Sequence, residues 1–183
     1  MSKTHKAKFN KKSNSIYAKN MLTRKLVLPF TSVGGNLSEI LKQKLEEDLY
    51  GKCCKDGYIK TDSIRISSYS SGIVQENDII FDVLFECLIC HPVEGQHIKC
   101  KVENITRAGI RAIYFKEQRS PITIFIARDH HYDSKYFSTI KEEDLILIKV
   151  IGIRYELNDE TISVLGELKP QKQHRITKII LEQ

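Results

Sequence analysis

Two stretches bring metal-ligating side chains close together. Cys87-Leu88-Ile89-Cys90-His91 has the spacing used for covalent haem attachment, and Cys53-Cys54 upstream offers two further thiols. Asp129-His130-His131-Tyr132-Asp133 supplies two imidazoles and two carboxylates. The local geometry opposes both. Cys87 and Cys90 sit in a run that reads as a strand, where residues three apart point to opposite faces, and Leu88-Ile89 offers no tight turn to bring them together. Adjacent histidines in a loop point apart, so these groups are not expected to converge on one ion. The cysteines (Cys53, Cys54, Cys87, Cys90, Cys100) are odd in number and lie in or beside apolar runs, so reduced thiols packed as small hydrophobes are the favoured reading. No metal or other cofactor is expected.

Covalent and nucleotide chemistry find no footing either. There is no serine elbow, the cysteine and histidine combinations lack a local nucleophile signature, and no glycine-rich loop joins a strand to a helix. No catalytic residue is expected. The class that survives is nucleic-acid binding, carried by side chains on short strands. An OB-type barrel presents basic and aromatic side chains from its second and third strands, because each base offers a face for stacking and each nucleotide a phosphate to neutralise. The residues in that position are Arg111, Tyr114, Phe125 and Arg128, with Lys99, Lys101, Arg107 and His130 nearby.

The elements that must position them are five strand-like pieces: residues 96–105, 110–115, 121–127, 145–153 and 161–168. Ile98, Cys100 and Val102 alternate with Lys99, Lys101 and Glu103, and Gly109 breaks the run where a strand must turn or coil sharply. The long polar insert 128–144 separates the third piece from the fourth. Five short strands with that long connection suit an OB-type barrel.

Upstream, residues 58–66, the short piece Gly72-Ile73-Val74 and the long run 79–90 read as strands. Phe81, Val83, Phe85, Cys87 and Ile89 share one face of the long run. A helix precedes them: Asn36 as N-cap, Glu39 as in a capping box, Gly51 past the last turn, and Leu37, Ile40, Leu41, Leu45 and Leu49 as its apolar stripe. That stripe must pack on the sheet. Before it a strand is expected over residues 22–30, closed by Pro29.

The net charge of +6 is unevenly distributed. Residues 1–25 hold eight basic side chains and no acid, which leaves 21 basic against 23 acidic residues elsewhere. A uniformly basic binding face is thus unsupported, whereas a basic arm able to touch phosphates or an acidic partner is supported. Residues 1–20 are too polar to offset their ordering entropy by burial and are expected to be disordered. Residues 169–183 form a tail with Ile176, Ile179 and Ile180 at helical spacing. No apolar run reaches the ~20 residues of a membrane span, and the N-terminus lacks a secretory signal, so a soluble, intracellular protein without membrane contact is expected.

From Gly35 to Leu168 the chain resembles the stalk subunit of multi-subunit RNA polymerases, that is, the seventh subunit of eukaryotic polymerase II and its archaeal counterpart. The residues that carry the resemblance are Gly35-Asn36-Leu37, Leu41 to Leu45, Gly51 to Cys53, Gly57-Tyr58-Ile59, Gly72-Ile73-Val74, and Pro92 with Gly95. In the second module they are Ala108-Gly109-Ile110, Phe125 to Arg128, His130, Lys149 to Arg154, Asn158-Asp159 and Leu165 to Leu168. The resemblance implies a mostly β, α+β chain, with a tip domain of a helix on a small antiparallel sheet (21–92) followed by an S1-type OB-fold barrel (93–168); the disordered basic tail (1–20) is an addition to the family pattern, and a tail (169–183) closes the chain. It implies a non-catalytic subunit that docks on the polymerase core near the clamp and the sixth-subunit-like region. Gly72, Ile73 and Val74 would make that docking contact. The barrel would contact nascent single-stranded RNA through Phe125, Arg128 and His130, and a fourth-subunit-like partner is a further implication. Where the family has an aromatic after the turn, Arg111 stands here, shifting the expectation from stacking to phosphate contact. The compact, lysine- and isoleucine-rich sequence is similar to versions carried by large DNA viruses. That implies a nuclear location, or a cytoplasmic virus factory and virion. The alternative reading is a free-standing S1-type RNA-binding protein.

Overall fold

In the computed structural model, residues 15–131 and 135–169 are described. The expected helical spacing at Ile176, Ile179 and Ile180, most of the expected basic tail, and Tyr132 and Asp133 lie outside them.

The N-terminal module is built on two long antiparallel strands, β1 (Tyr17–Pro29) and β6 (Asp78–Cys90), paired without a register break along all of β1. The other edge of β6 is tiled by three short strands: β5 (Ile73–Gln75), β4 (Arg65–Tyr69) and β3 (Gly57–Ile59), the last paired with β2 (Cys53–Cys54). Helix α1 (Leu37–Leu49) covers one face, burying Leu41 and Leu45 against a cluster that includes Leu26, Leu28, Phe81, Val83, Phe85, Cys87 and Ile89. The period-two pattern of β6 is thus realised as predicted, with Leu84, Glu86 and Leu88 half-buried on its second face.

Three expectations change in detail. β1 begins at Tyr17, inside the stretch expected to be disordered, because Ile16 and Tyr17 find cover against the barrel core. The strand expected to end at residue 66 runs on: Ser67 to Tyr69 extend β4 past a bulge, so that Ser68 and Tyr69 pair with Leu84 and Val83. At the helix start the Asn36 side chain caps nothing; its backbone carbonyl instead accepts from the Glu39 N–H at 3.1 Å. Gly51 does take the left-handed φ of +67° expected past a helix end.

The C-terminal module is a closed barrel of β7 (His97–Ile105), β8 (Gly109–Ile113), β9 (Ile122–Ala127), β10 (Leu145–Arg154) and β11 (Ile162–Lys169). Around the barrel the order is β7-β8-β9-β11-β10 and back to β7, with β9 and β11 the parallel pair. Five strands closed in this order fit an OB-type barrel. The insert between β9 and β10 carries a 3-10 turn (Arg128–His130) and helix α2 (Lys135–Thr139), whose Phe137 stacks on His131 at 5.5 Å.

The modules interlock. Ile16, Cys53, Tyr58 and Cys90 belong to the barrel's own buried cluster. The Cys53 N–H donates to Asp159 O at 2.8 Å and the Asn158 N–H donates to Cys53 O at 2.9 Å, so the β10–β11 turn grips β2. Lys60 Nζ meets Glu117 Oε1 at 2.7 Å on another side of the junction. Among the described residues no helix is long and apolar enough to cross a membrane.

Candidate nucleic-acid interface

Alternation decides which barrel side chains are available. On β8, Ile110 and Ala112 point inward, so Arg111 points out; on β9, Ile122, Ile124 and Ile126 point inward, so Phe125 points out. Arg111 and Phe125 are register partners, and Phe125 is paired on its other side with Leu165 of β11. The Phe125 ring also leans over Gly109. A Cβ there would lie 3.0 Å from Phe125 Cζ and would overlap the Ile126 carbonyl oxygen, so the position admits only glycine.

Beyond Phe125 opens a groove of about 360 Å³ across β9, β11 and β10, lined by Gly152, Ile153, Arg154, Ser163 and Leu165. Its walls are mostly apolar and Arg154 stands at its edge, 84% exposed at the side chain. An aromatic ring, an apolar floor and flanking guanidiniums are the components a single strand uses for stacking and phosphate contact.

The other expected residues divide. Tyr114 is corrected: at 4% exposure it continues the inward row of Ile110 and Ala112, and its ring is unavailable for stacking. Arg128 is exposed yet engaged: Nε donates to Arg107 O at 2.9 Å, Nη2 to Thr106 O at 3.2 Å, and its guanidinium lies over the Phe137 ring. It therefore braces the β7–β8 loop. Arg111 Nε pairs with Glu103 Oε2 at 2.8 Å, and Lys101 pairs with Glu143. Lys99, Arg107 and His130 are exposed. Ile153, Arg154 and Leu165 escape the sequence reading because the groove exists only once β11 inserts between β9 and β10.

The second expected surface lies at the far end of the N-terminal sheet. Val27 and Ile73 flank Ile80 in one cross-strand row, and Val27, Phe30, Ile73 and Val74 are each more than half exposed. Gly72 has φ +83°, and a Cβ there would sit 2.7 Å from Ile79 Cγ2 and 2.8 Å from Phe81 Cε1, so glycine is required where the chain passes from β4 into β5; the turn from β5 back along β6 is made at Glu76-Asn77. Clustered apolar side chains at a sheet end are the mark of a protein contact.

The cysteines are all buried. Burial pushes Cys53 and Cys87 up to about 11 and Cys90 and Cys100 up to about 12, which keeps the thiols neutral. His131 is committed at both ring nitrogens: Nδ1 meets Ala127 O and Nε2 accepts the Leu168 N–H, each at 2.9 Å. Its ring ties the insert to β11 and leaves no lone pair for a metal.

Fold and surfaces thus define a two-module protein: a helix-covered sheet with an apolar end, joined to a barrel of OB order. No family model matches the chain. Over 170 residues it is 28% identical to a candidate DNA-directed RNA polymerase subunit of Acanthamoeba polyphaga mimivirus, covering 84% of this chain and 82% of the relative. It is 23% identical over 166 residues to DNA-directed RNA polymerase II subunit 7 of Arabidopsis thaliana, covering 81% and 90%. These similarities run through both modules and support the polymerase-subunit resemblance, in its viral as well as its eukaryotic form.

Proposed function

We propose that the chain is a non-catalytic stalk subunit of a DNA-directed RNA polymerase. The N-terminal module docks on the polymerase core near the clamp through the apolar sheet end, with Gly72 holding Ile73 and Val74 in place. The barrel lies along emerging RNA. A base stacks on Phe125 over the groove of Ile153 and Leu165, while Arg111 and Arg154 meet phosphates. A fourth-subunit-like partner and a location in the nucleus or a viral factory belong to the same reading.

The observation that carries it is the similarity to polymerase subunits across both modules together. A free-standing RNA-binding barrel would need only the second. Purification from the native cell tests it: a tagged chain is expected to bring the two largest polymerase subunits with it at moderate salt. Recovery free of them would favour the free-standing reading.

A further inference from the structure

Three glycines lie within the barrel strands, and packing demands two of them. A Cβ at Gly109 would overlap the Ile126 carbonyl oxygen, and one at Gly166 would press on Ile124 and Ile148 at 3.3 Å. Gly152 of β10 is different. A Cβ there would meet only Leu165 Cβ, at the ordinary contact distance of 3.8 Å, and its φ lies outside the left-handed region. The neighbouring bulge does not ask for glycine either, since the residue left over between the Val150–Gly166 and Gly152–Leu165 pairs is Ile151. The fold therefore has room for a side chain at 152, and a glycine inside a strand weakens it.

What the missing side chain leaves open is the groove beside Phe125. Phe125, Leu165 and Gly152 form one cross-strand row on the outside of the barrel, falling from a ring to an isobutyl group to bare backbone. The Phe125 ring leans the other way, over Gly109, so the space above Leu165 stays clear as the groove of about 360 Å³. Two strand spacings, about 10 Å, separate the backbone of Phe125 from that of Gly152. Among the lining side chains only Ser163 and Arg154 are polar, and they stand together at one end as cross-strand partners. A nucleobase has the matching form, with two apolar faces and one hydrogen-bonding edge.

We propose that Gly152 sets what this groove admits: a single unpaired base, lodged above Leu165 with the Phe125 ring on one side and the bare backbone of β10 on the other. Lodging a base here rests on the RNA-contact reading above; the limit on its size is carried by Gly152. Glycine in a strand permits that close approach of a ligand to the backbone. A branched side chain at 152 would stand in the space the base needs. Ser163 Oγ both donates and accepts, so the pocket takes any of the four bases. A base pair is too wide for it.

The probe is an oligouridylate of about twelve nucleotides, titrated by fluorescence anisotropy against the full chain over a range of salt concentrations. Gly152→Val is expected to weaken binding about tenfold, the scale of one lost base stack, and Gly152→Ala to weaken it less. The salt slope should keep its wild-type value because no phosphate contact is removed. The melting temperature should hold or rise, because a β-branched residue replaces glycine in a strand. Ser163→Ile, at an exposed position of β11, fills the same groove from its other wall and should weaken binding alike. An oligomer of the same length without bases should bind wild type and Gly152→Val equally. Unchanged affinity in Gly152→Val and Ser163→Ile, alongside a loss in Phe125→Ala, would overturn the size limit and leave RNA contact at Phe125 standing. No wild-type binding, or no loss in Phe125→Ala, would overturn the RNA-contact reading and the pocket with it. A lowered melting temperature in Gly152→Val with full binding in Ser163→Ile would make the glycine structural and overturn the proposal. Unchanged RNA affinity with lost association to the polymerase core would assign the groove to a protein side chain instead.

Discussion

Arg111 of β8 and Phe125 of β9 are cross-strand partners on the outside of the barrel, and Glu103 holds Arg111 Nε at 2.8 Å. One cation therefore stands beside the exposed ring with its charge partly occupied. Arg111→Ala is expected to lower the salt slope of single-stranded RNA binding by about one. Glu103→Gln frees the same guanidinium and should strengthen binding about twofold, the scale of an exposed ion pair. Affinity titrations across salt concentrations check both.

Arg128 behaves differently because its guanidinium is bonded to the carbonyls of Thr106 and Arg107. Arg128→Ala should cost about 1 kcal/mol of stability. Denaturant unfolding would report it, with a smaller change in salt slope than Arg111→Ala produces.

Gly109→Ala sets a methyl group against the Ile126 carbonyl oxygen and the Phe125 ring. A loss of about 2 kcal/mol or more is expected. An unchanged melting temperature would show that β8 and β9 separate there at little cost.

The exposed end of the N-terminal sheet permits charge without unfolding. Ile73→Asp with Val74→Asp should leave stability within about 0.5 kcal/mol. The same pair should weaken association with the polymerase core tenfold or more, the scale of an interface anchor. Thermal melts and reconstitution with purified core separate the two effects.

Buried thiols predict a pH dependence. Folding raises the thiol values of Cys53, Cys87, Cys90 and Cys100 above the ordinary thiol range, so the unfolded chain loses protons first as pH rises. Stability contributed by these groups is full below the ordinary thiol value and falls from about pH 9 upward. At pH 8 the native thiols should resist alkylation and become reactive only on unfolding. Rapid native alkylation would contradict the burial.

Much of this was legible in residue alternation. The faces of β6, the outward position of Phe125 between Ile124 and Ile126, and the helix stripe follow from periods of 2 and 3.6. The same parity places Tyr114 inward with Ile110 and Ala112, a signal outweighed by the preference for aromatics at a binding face. What alternation cannot supply is which strands become neighbours. The Phe125 groove needs the parallel β9–β11 pairing, and the apolar row Val27, Ile80 and Ile73 needs β1 brought from a distant part of the chain onto the β5–β6 hairpin. Ile16 and Tyr17 look like tail until the barrel core is there to cover them.

The central claim is that one end of the chain holds the polymerase while the other touches the transcript. Photo-crosslinkers placed at Ile73 and, separately, at Phe125, in a polymerase stalled with a labelled nascent RNA, test it most directly. The account predicts that the Ile73 probe joins a large polymerase subunit and that the Phe125 probe joins the RNA. Labelled RNA on the Ile73 probe, or none on the Phe125 probe while the chain remains polymerase-bound, would contradict it.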